Sequence, residues 1–353
     1  MKTPLLCCLA SLALAFAATP ARSAATNDPS LLQSAFIVEN PPFPSSHAST
    51  IVETPDGLLA SWFGGTEERA TDVSIWLARN DGSGWSAPEE VANGVDGKRQ
   101  RRYPCWNPVL FRRLNGDVLL FYKVGPSPEE WWGMVRVSRD GGRTWSAVDR
   151  LPGGFVGPVR NKPIELSGGV LLCGSSSEDK GWRVHMEKAR DPMGLWERTL
   201  PLNAAYTYSA IQPTILAHSE TLLQILCRTK QGWITQCWST NGGATWSEMQ
   251  RTTLPNPNSA VDAVRMRDGR FVLAYNHARV GRHVMNLAVS EDGRAWQGAV
   301  ELENEPGAEF SYPAIIQTAD GLIHVTYTWK RQRIKHAVLD PARFILKPLT
   351  DGR

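Results

Sequence analysis

The sequence predicts an all-β fold, a six-bladed β-propeller of four-stranded antiparallel blades. Two interleaved repeats and their period carry that prediction. The first repeat is the turn Ser138-Arg139-Asp140-Gly141-Gly142-Arg143-Thr144-Trp145, of the form S-x-D-x-G-x-T-W. It returns at Ser239 to Trp246 with Asn241 for the aspartate, and at Ser290 to Trp296 one residue short. Worn copies end at Trp85 and Trp196. Successive tryptophans Trp85, Trp145, Trp196, Trp246 and Trp296 stand 60, 51, 50 and 50 residues apart. A period near 50 residues signals stacked supersecondary units. The second repeat is a hairpin with strand-like flanks, centred on Asp56-Gly57, Asn115-Gly116, Gly168-Gly169, Ser219-Glu220, Asp268-Gly269 and Asp320-Gly321. Six hairpins, each but the last followed by another strand and a tryptophan turn, give four strands per unit. Radial closure of six units leaves few free strand edges.

One turn copy has a local logic. The Asp or Asn side chain accepts from backbone N–H groups of the turn. The glycine takes positive φ at little steric cost. The tryptophan then opens the next strand with a large apolar face.

Along the chain, residues 1–24 read as a cleavable export leader: Lys2 supplies charge, and Leu5 to Ala18 is an apolar run too short to span a bilayer comfortably. Residues 25–353 form one propeller domain, exported to the periplasm or secreted, with no stable membrane insertion after leader removal. Ala35-Phe36-Ile37-Val38 is the outer strand of the last blade, closing the ring against residues 334–339. The tail after Phe344 is expected to be irregular. A formal net charge of +3 argues against a nucleic-acid partner recruited by bulk charge. Cys105, Cys173, Cys227 and Cys237 fit no zinc spacing. They read as buried thiols, with a Cys227–Cys237 disulfide as the alternative that export permits. No acidic run has the spacing of a calcium loop, so no metal and no cofactor is expected. The basic run Lys98, Arg99, Arg101 and Arg102 reads as solvated surface.

Strand parity places the chemistry. In a four-strand meander the first and third turns of every blade share one rim. The starts of the innermost strands and the loops between second and third strands share the other. That second rim collects His47, Asn107, Asn161, Lys162, Gln212, Asp262, Glu309 and Tyr312 from strand starts. The loops add Glu67, Glu68, Asp72, Glu129, Glu130, Trp131, Trp132, Glu178, Arg228, Arg279, Arg282, Lys330, Arg331 and Arg333. Guanidinium groups can hold a carboxylate bidentately, and aromatic faces can pack on sugar rings, so the set suits an acidic sugar.

The S-x-D-x-G-x-T-W copies resemble the Asp boxes, or BNR repeats, of the sialidase (neuraminidase) superfamily, over nearly the whole chain from Phe36 to Leu339. The resemblance implies a carbohydrate-active enzyme, an exo-α-sialidase-type glycoside hydrolase. Tyr312, eight residues before Asp320-Gly321, falls at the tyrosine nucleophile. Asp72 falls at the acid/base aspartate. Arg228 and Arg282 match two of three arginines that clamp a substrate carboxylate, Arg279 being the next match after Arg282. Two positions depart from the pattern. His47 stands where the first arginine would be, and Gln212 where the glutamate that takes the tyrosine proton would be. His47 is expected as a base or substrate contact, and Gln212 as a substrate hydrogen-bonder. Asn161, Lys162, Arg331 and Glu309 complete the expected substrate set, with Trp131 and Trp132 as a sugar platform. The expected partner is an acidic glycan or glycoconjugate. A lyase or hydrolase acting on uronic-acid-containing glycans and a non-catalytic glycan-binding propeller are the alternatives, since the fold hosts many functions.

Overall fold

The computed structural model describes residues 28–97 and 100–349. The expected leader and Lys98 and Arg99 lie outside the described residues. Six antiparallel sheets succeed one another around an axis, each running from its innermost strand outward. Blade 1 comprises Ser45–Thr54, Gly57–Gly65, Ser74–Asn80 and Glu89–Ala92; blade 2 comprises Cys105–Arg112, Val118–Val124, Trp132–Ser138 and Asp149–Arg150. Blade 3 is Ile164–Leu166, Val170–Ser177, Arg183–Ala189 and Trp196–Arg198; blade 4 is Ala210–Ala217, Leu223–Thr229, Trp233–Ser239 and Gln250–Pro255. Blade 5 starts with Asp262–Arg265, Phe271–Tyr275, Val284–Ser290 and Gln297–Asn304, and blade 6 with Phe310–Gln317, Ile323–Trp329 and Arg333–Leu339. The ring closes as the sequence predicts: Leu31–Phe36 pairs with Arg333–Leu339 as the outer strand of blade 6, Phe36 opposite Lys335.

Two features differ from expectation. The tail is not irregular throughout, because Lys347–Pro348 adds a fifth strand to blade 5, Gly298 opposite Lys347. A small hairpin, Val95–Asp96 with Arg101–Arg102, lies between blades 1 and 2. Within it Arg102 is no idle surface cation: its guanidinium donates to the Asp72 carbonyl at 2.9 Å and to Ser74 Oγ at 2.8 Å. The four cysteines are free and buried, with no Cys227–Cys237 bridge.

The tryptophan turns work as their chemistry predicts. Asp140 Oδ1 accepts from the N–H groups of Arg143 at 3.1 Å and Thr144 at 2.9 Å, and Ser138 Oγ accepts from Gly142 N–H at 2.8 Å. Asn241 reproduces the arrangement: its Oδ1 accepts from Thr245 N–H at 2.9 Å and its Nδ2 donates to Thr245 Oγ1 at 2.8 Å. Gly142 sits at φ 88°, and a Cβ there would come within 2.3 Å of Leu59 in the preceding blade. The apolar core divides into six clusters, one at each seam between neighbouring blades.

Around the axis the seams are polar. Asp262 ties four blades together. Its Oδ2 accepts from Lys162 Nζ of blade 3 at 2.8 Å and from Ile315 N–H of blade 6 at 3.0 Å, and its Oδ1 accepts from Thr214 of blade 4 at 2.8 Å. Four innermost strands share a further device, a register shift at their start: His47/Thr50, Trp106/Val109, Ile211/Thr214 and Ser311/Ala314. At each shift one residue takes a left-handed backbone, Ala48 at φ 55°, Asn107 at 36°, Gln212 at 57° and Tyr312 at 52°. Such bulges bend a strand and re-aim a side chain.

Candidate active site

The re-aimed side chains meet loops on one mouth of the axial channel, the rim that strand parity selects. A cavity of about 200 Å³ is lined there by Asn107, Gln212 and Tyr312 from bulges, by Arg228, Arg282 and Arg331, by Glu68 and Glu178, and by Trp106, Trp131 and Trp182 among others. Every one of these residues lies at an innermost-strand start, or at or beside the connection between second and third strands. Larger grooves exist on the flanks, such as the space of about 540 Å³ beside the added fifth strand of blade 5 and one of about 740 Å³ lined by Asp179, Lys180, Arg183, His185 and Arg198 in blade 3, but neither includes a bulged innermost-strand residue.

Tyr312 is the centre of the site. Arg228 Nη1 donates to its hydroxyl at 3.0 Å and to Gln212 Oε1 at 3.2 Å. Burial opposes ionisation of the phenol, yet the nearby Arg228 and Arg282 charges, with a hydrogen bond from Gln212, hold its pKa below the ordinary tyrosine value. The Arg160 guanidinium stacks over the ring at 5.2 Å and donates to the Pro313 carbonyl at 2.7 Å. Burial lowers Arg160 only to about 10, so it stays cationic.

His47 is buried with its ring 4.3 Å from that of Tyr312, and neither of its nitrogens has a hydrogen-bond partner. Burial first, then Arg331, Arg282, Arg160 and Arg228, holds its pKa well below the usual range, so it is a neutral imidazole.

Three arginines converge with different companions. Arg228 Nε and Nη2 donate to Asn258 Oδ1 at 3.1 and 2.7 Å, and Nη2 also reaches the Asn258 carbonyl at 2.9 Å. Arg282 Nη2 donates to the same carbonyl at 2.8 Å, and its Nη1 to Glu309 at 3.1 Å. Arg331 donates from Nε to Glu309 at 3.1 Å and pairs through Nη1 with Glu68. Glu309 therefore clasps two arginines. Burial would raise its pKa, but Arg331 and Arg282 outweigh that and keep it ionised. Among the described residues Arg228 meets no carboxylate at ion-pair distance, and its five N–H groups are shared among Asn258, Gln212 and Tyr312.

Several expected contacts are placed differently. Lys162 does not line the cavity: its ammonium bonds Asp262 and the Ala263 carbonyl at 2.9 Å, which makes it a strut between blades. Asn161 is buried and donates to the Gln212 carbonyl at 3.1 Å, supporting that bulge rather than facing the cavity. Asp72 lies on the exposed loop of residues 66–73 and is absent from the lining. Its Oδ2 accepts from Thr66 Oγ1 at 2.7 Å and Thr66 N–H at 2.9 Å, which lowers its pKa. Trp131 faces the cavity, whereas Trp132 packs edge-on against Tyr103 at 5.3 Å, under the Arg150 guanidinium. Arg279 stacks on Trp233 at 4.3 Å and is likewise outside the lining.

Sequence reasoning passed over Asn258, Arg160 and Trp182, and gave Glu68 and Glu178 a place on the rim without a role. One signal was available for three of the four bulged positions: Asn107-Pro108, Gln212-Pro213 and Tyr312-Pro313 repeat an X-Pro pair at innermost-strand starts, which the regular Lys162-Pro163 shares. Nothing in the spacing marks Asn258, whose importance comes from two arginines folded against it.

Fold and site together define a sialidase-like BNR-repeat propeller. Residues 56–325 match the family model described as BNR repeat-like domain, and the chain belongs to that family. Among solved structures it is similar to a protein of unknown function from Dyadobacter fermentans, at 15% identity over 88% of this chain and 98% of that one, with a TM-score of 0.71. It is also similar to a point mutant of the NanB sialidase from Streptococcus pneumoniae, at 13% identity, 86% and 69% coverage and a TM-score of 0.69. The Hadza microbial sialidase Hz136 aligns at 15% identity over 85% of this chain and 66% of that one, with a TM-score of 0.72. No curated protein sequence matches the chain significantly.

Proposed function

We propose that the protein is an exported, sialidase-like glycoside hydrolase that removes a terminal acidic sugar, with Tyr312 as nucleophile. The observation that carries this is the Tyr312 hydroxyl, held 3.0 Å from Arg228 in a cavity that Arg282 and Arg331 also line. A phenol is a poor nucleophile until ionised. Where the family pattern has a glutamate to take the proton, Gln212 cannot, and the arginines acidify the phenol instead. Glycosidases with a tyrosine nucleophile are a recognised exception to the two-carboxylate rule.

Arg228, Arg282 and Arg331 together form the positive wall that a substrate carboxylate would meet. Gln212 and the faces of Trp131 and Trp182 contact the ring. Asn161, Lys162 and Glu309 hold these groups in place. A space of about 200 Å³ falls below the roughly 300–1,000 Å³ of ordinary ligand pockets, so it suits one terminal residue of a glycan. Protonation of the departing oxygen falls to a carboxyl on the rim. The family position for it is Asp72, which would have to leave Thr66 and fold inward over a bound sugar.

The test is Tyr312→Phe on a panel of 4-methylumbelliferyl glycosides of N-acetylneuraminic, glucuronic and related acidic sugars. The variant should lose orders of magnitude in kcat; a wild-type rate would remove Tyr312 from the chemistry. One observation favours a second reading. A neutral His47 beside an acidified Tyr312, with no carboxylate hydrogen-bonded to the phenol among the described residues, also suits proton abstraction from a uronate and β-elimination. An unsaturated uronate product absorbing in the ultraviolet would decide for it.

A further inference from the structure

We infer that Glu178, on the loop of residues 178–182 of blade 3, is the residue that protonates the departing glycosidic oxygen. The inference rests on the glycosidase reading. Two carboxylates line the cavity, Glu68 and Glu178; of the others on the rim, Glu129 bonds Ser127, and Glu309 and Asp72 are engaged as well. Glu68 pairs with Arg331, Glu309 clasps Arg282 and Arg331, and the Asp72 carboxylate is occupied by Thr66 outside the cavity. Glu178 lines the cavity together with Tyr312, and among the described residues no cation lies within ion-pair distance of it. Trp106, Trp131 and Trp182 line the same cavity, and the Trp182 side chain donates a hydrogen bond to the Glu178 carboxyl. Such a wall excludes water and disfavours a carboxylate, the arrangement by which a carboxyl keeps its proton for general-acid work. Burial accordingly raises the Glu178 pKa, against the pull of Arg228. Asp72 is shifted in the opposite direction, towards a stable carboxylate. Tyr312, held below the ordinary tyrosine value, and Glu178, held above the ordinary carboxyl value, divide the work between phenolate and acid.

The balanced sequence is short. Tyr312 enters as phenolate, its proton having left to solvent. Its oxygen bonds the anomeric carbon as the glycosidic C–O bond breaks, and Glu178 gives its proton to the leaving oxygen. Water then attacks the anomeric carbon, loses a proton to the Glu178 carboxylate, and releases Tyr312 as phenolate.

The experiment compares an activated and an unactivated leaving group. Glu178→Gln, Asp72→Asn and Tyr312→Phe are assayed in the full chain on the 4-methylumbelliferyl glycoside that the wild type cleaves and on its methyl counterpart. General-acid catalysis contributes about 10²–10⁴-fold. In kcat/KM, which reports the first step alone, Glu178→Gln should therefore lose about that factor on the methyl glycoside, and less than about tenfold on the aryl glycoside, whose phenolate needs no proton. The alkaline limb of the wild-type kcat/KM profile should vanish in the same variant. The retained aryl rate reports a folded site, so a merely structural role cannot produce the split. Equal losses on both substrates, no loss on either, or a split carried by Asp72→Asn instead would overturn the assignment. Unchanged Tyr312→Phe, or a wild type that cleaves no member of the panel, would instead bring down the glycosidase reading.

Discussion

Asp262 offers a test of the architecture that needs no substrate. Asp262→Ala removes the acceptor for Lys162 Nζ, Ile315 N–H and Thr214 Oγ1 at once. The Asp262 side chain is 3% exposed and that of Lys162 24%. Losing a hydrogen bond to a charged group costs about 1.5–3 kcal/mol, and leaving a buried N–H unsatisfied about 1–3 kcal/mol. Breaking one side of a buried pair falls in the same range, about 3–5 kcal/mol. A propeller of this length gains about 0.6–0.7 kcal/mol per kelvin of unfolding entropy at its midpoint, so the loss corresponds to a Tm roughly 5–8 °C lower. Asp262→Asn discriminates the mechanism. Its amide oxygen can take the Oδ2 position and accept from Lys162 and Ile315, while its amide nitrogen donates to Thr214, whose hydroxyl turns to accept. Only the charge is lost, so the drop should be about 1–2 kcal/mol. Differential scanning fluorimetry at one fixed scan rate reads both variants. A Tm for Asp262→Ala within a degree of wild type, or a larger fall for Asn than for Ala, would refute the tether.

The other predictions concern position and pH. Asn258 lies at φ 57°, so Asn258→Gly keeps the backbone and deletes only the acceptor for Arg228. That oxygen accepts from both Nε and Nη2; losing even one charge-assisted bond, about 1.5–3 kcal/mol, predicts kcat/KM at least about 10–100-fold lower, and Asn258→Ala should lose more because it adds left-handed strain of about 1–2 kcal/mol. Equal values for the two would deny the backbone argument. His336 accepts from Trp85 Nε1 at 3.3 Å and shares a 3.0 Å bond with His324, and burial lowers both imidazoles, His336 to about 3. The unfolded chain then binds protons that the native state refuses. Stability is full above pH 6.5 and falls below it by up to about 1.4 kcal/mol per pH unit for each histidine, until the native values are reached; His336→Asn should flatten a denaturant titration between pH 6.5 and 4. Asp140→Asn should leave the Tm near neutral pH almost unchanged, because Asn241 already makes the same turn. The variant should also lose the acid sensitivity that Asp140, with its pKa depressed by Thr144, contributes as pH falls through its folded value.

The fold was legible because its signals are local and repeat. Each Asp-box turn satisfies its own backbone, so a single copy is readable in eight residues, and the spacing of the tryptophans then counts the blades. Closure by the N-terminal strand was legible for the converse reason: a lone β segment at one end must pair with something, and blade 6 lacks an outer strand. The strand added by Lys347–Pro348 gave no such sign, since two residues with a proline carry no alternation of their own. Parity also placed the strand starts and the second loops of the blades on one rim, because direction alternates whatever the side chains are.

Parity selects a rim but not a partner, and the site residues part company on that point. Lys162 and Arg228 both arise on the rim as cations. Lys162 meets Asp262 and becomes a strut, while Arg228 meets no carboxylate among the described residues and binds Asn258, Gln212 and Tyr312 at the cavity. That outcome depends on which side chains approach across the channel, from blades more than 80 residues apart in the case of Arg228 and Tyr312. The X-Pro pairs carry the remaining information. A residue before proline favours extended backbone, yet Asn107, Gln212 and Tyr312 hold positive φ. Such residues cost about 1–3 kcal/mol each and persist only where the surroundings over-determine them. All three line the same cavity, and the bulges that strain them are what turn their side chains from the pleat of the innermost strand towards the place where a sugar would sit.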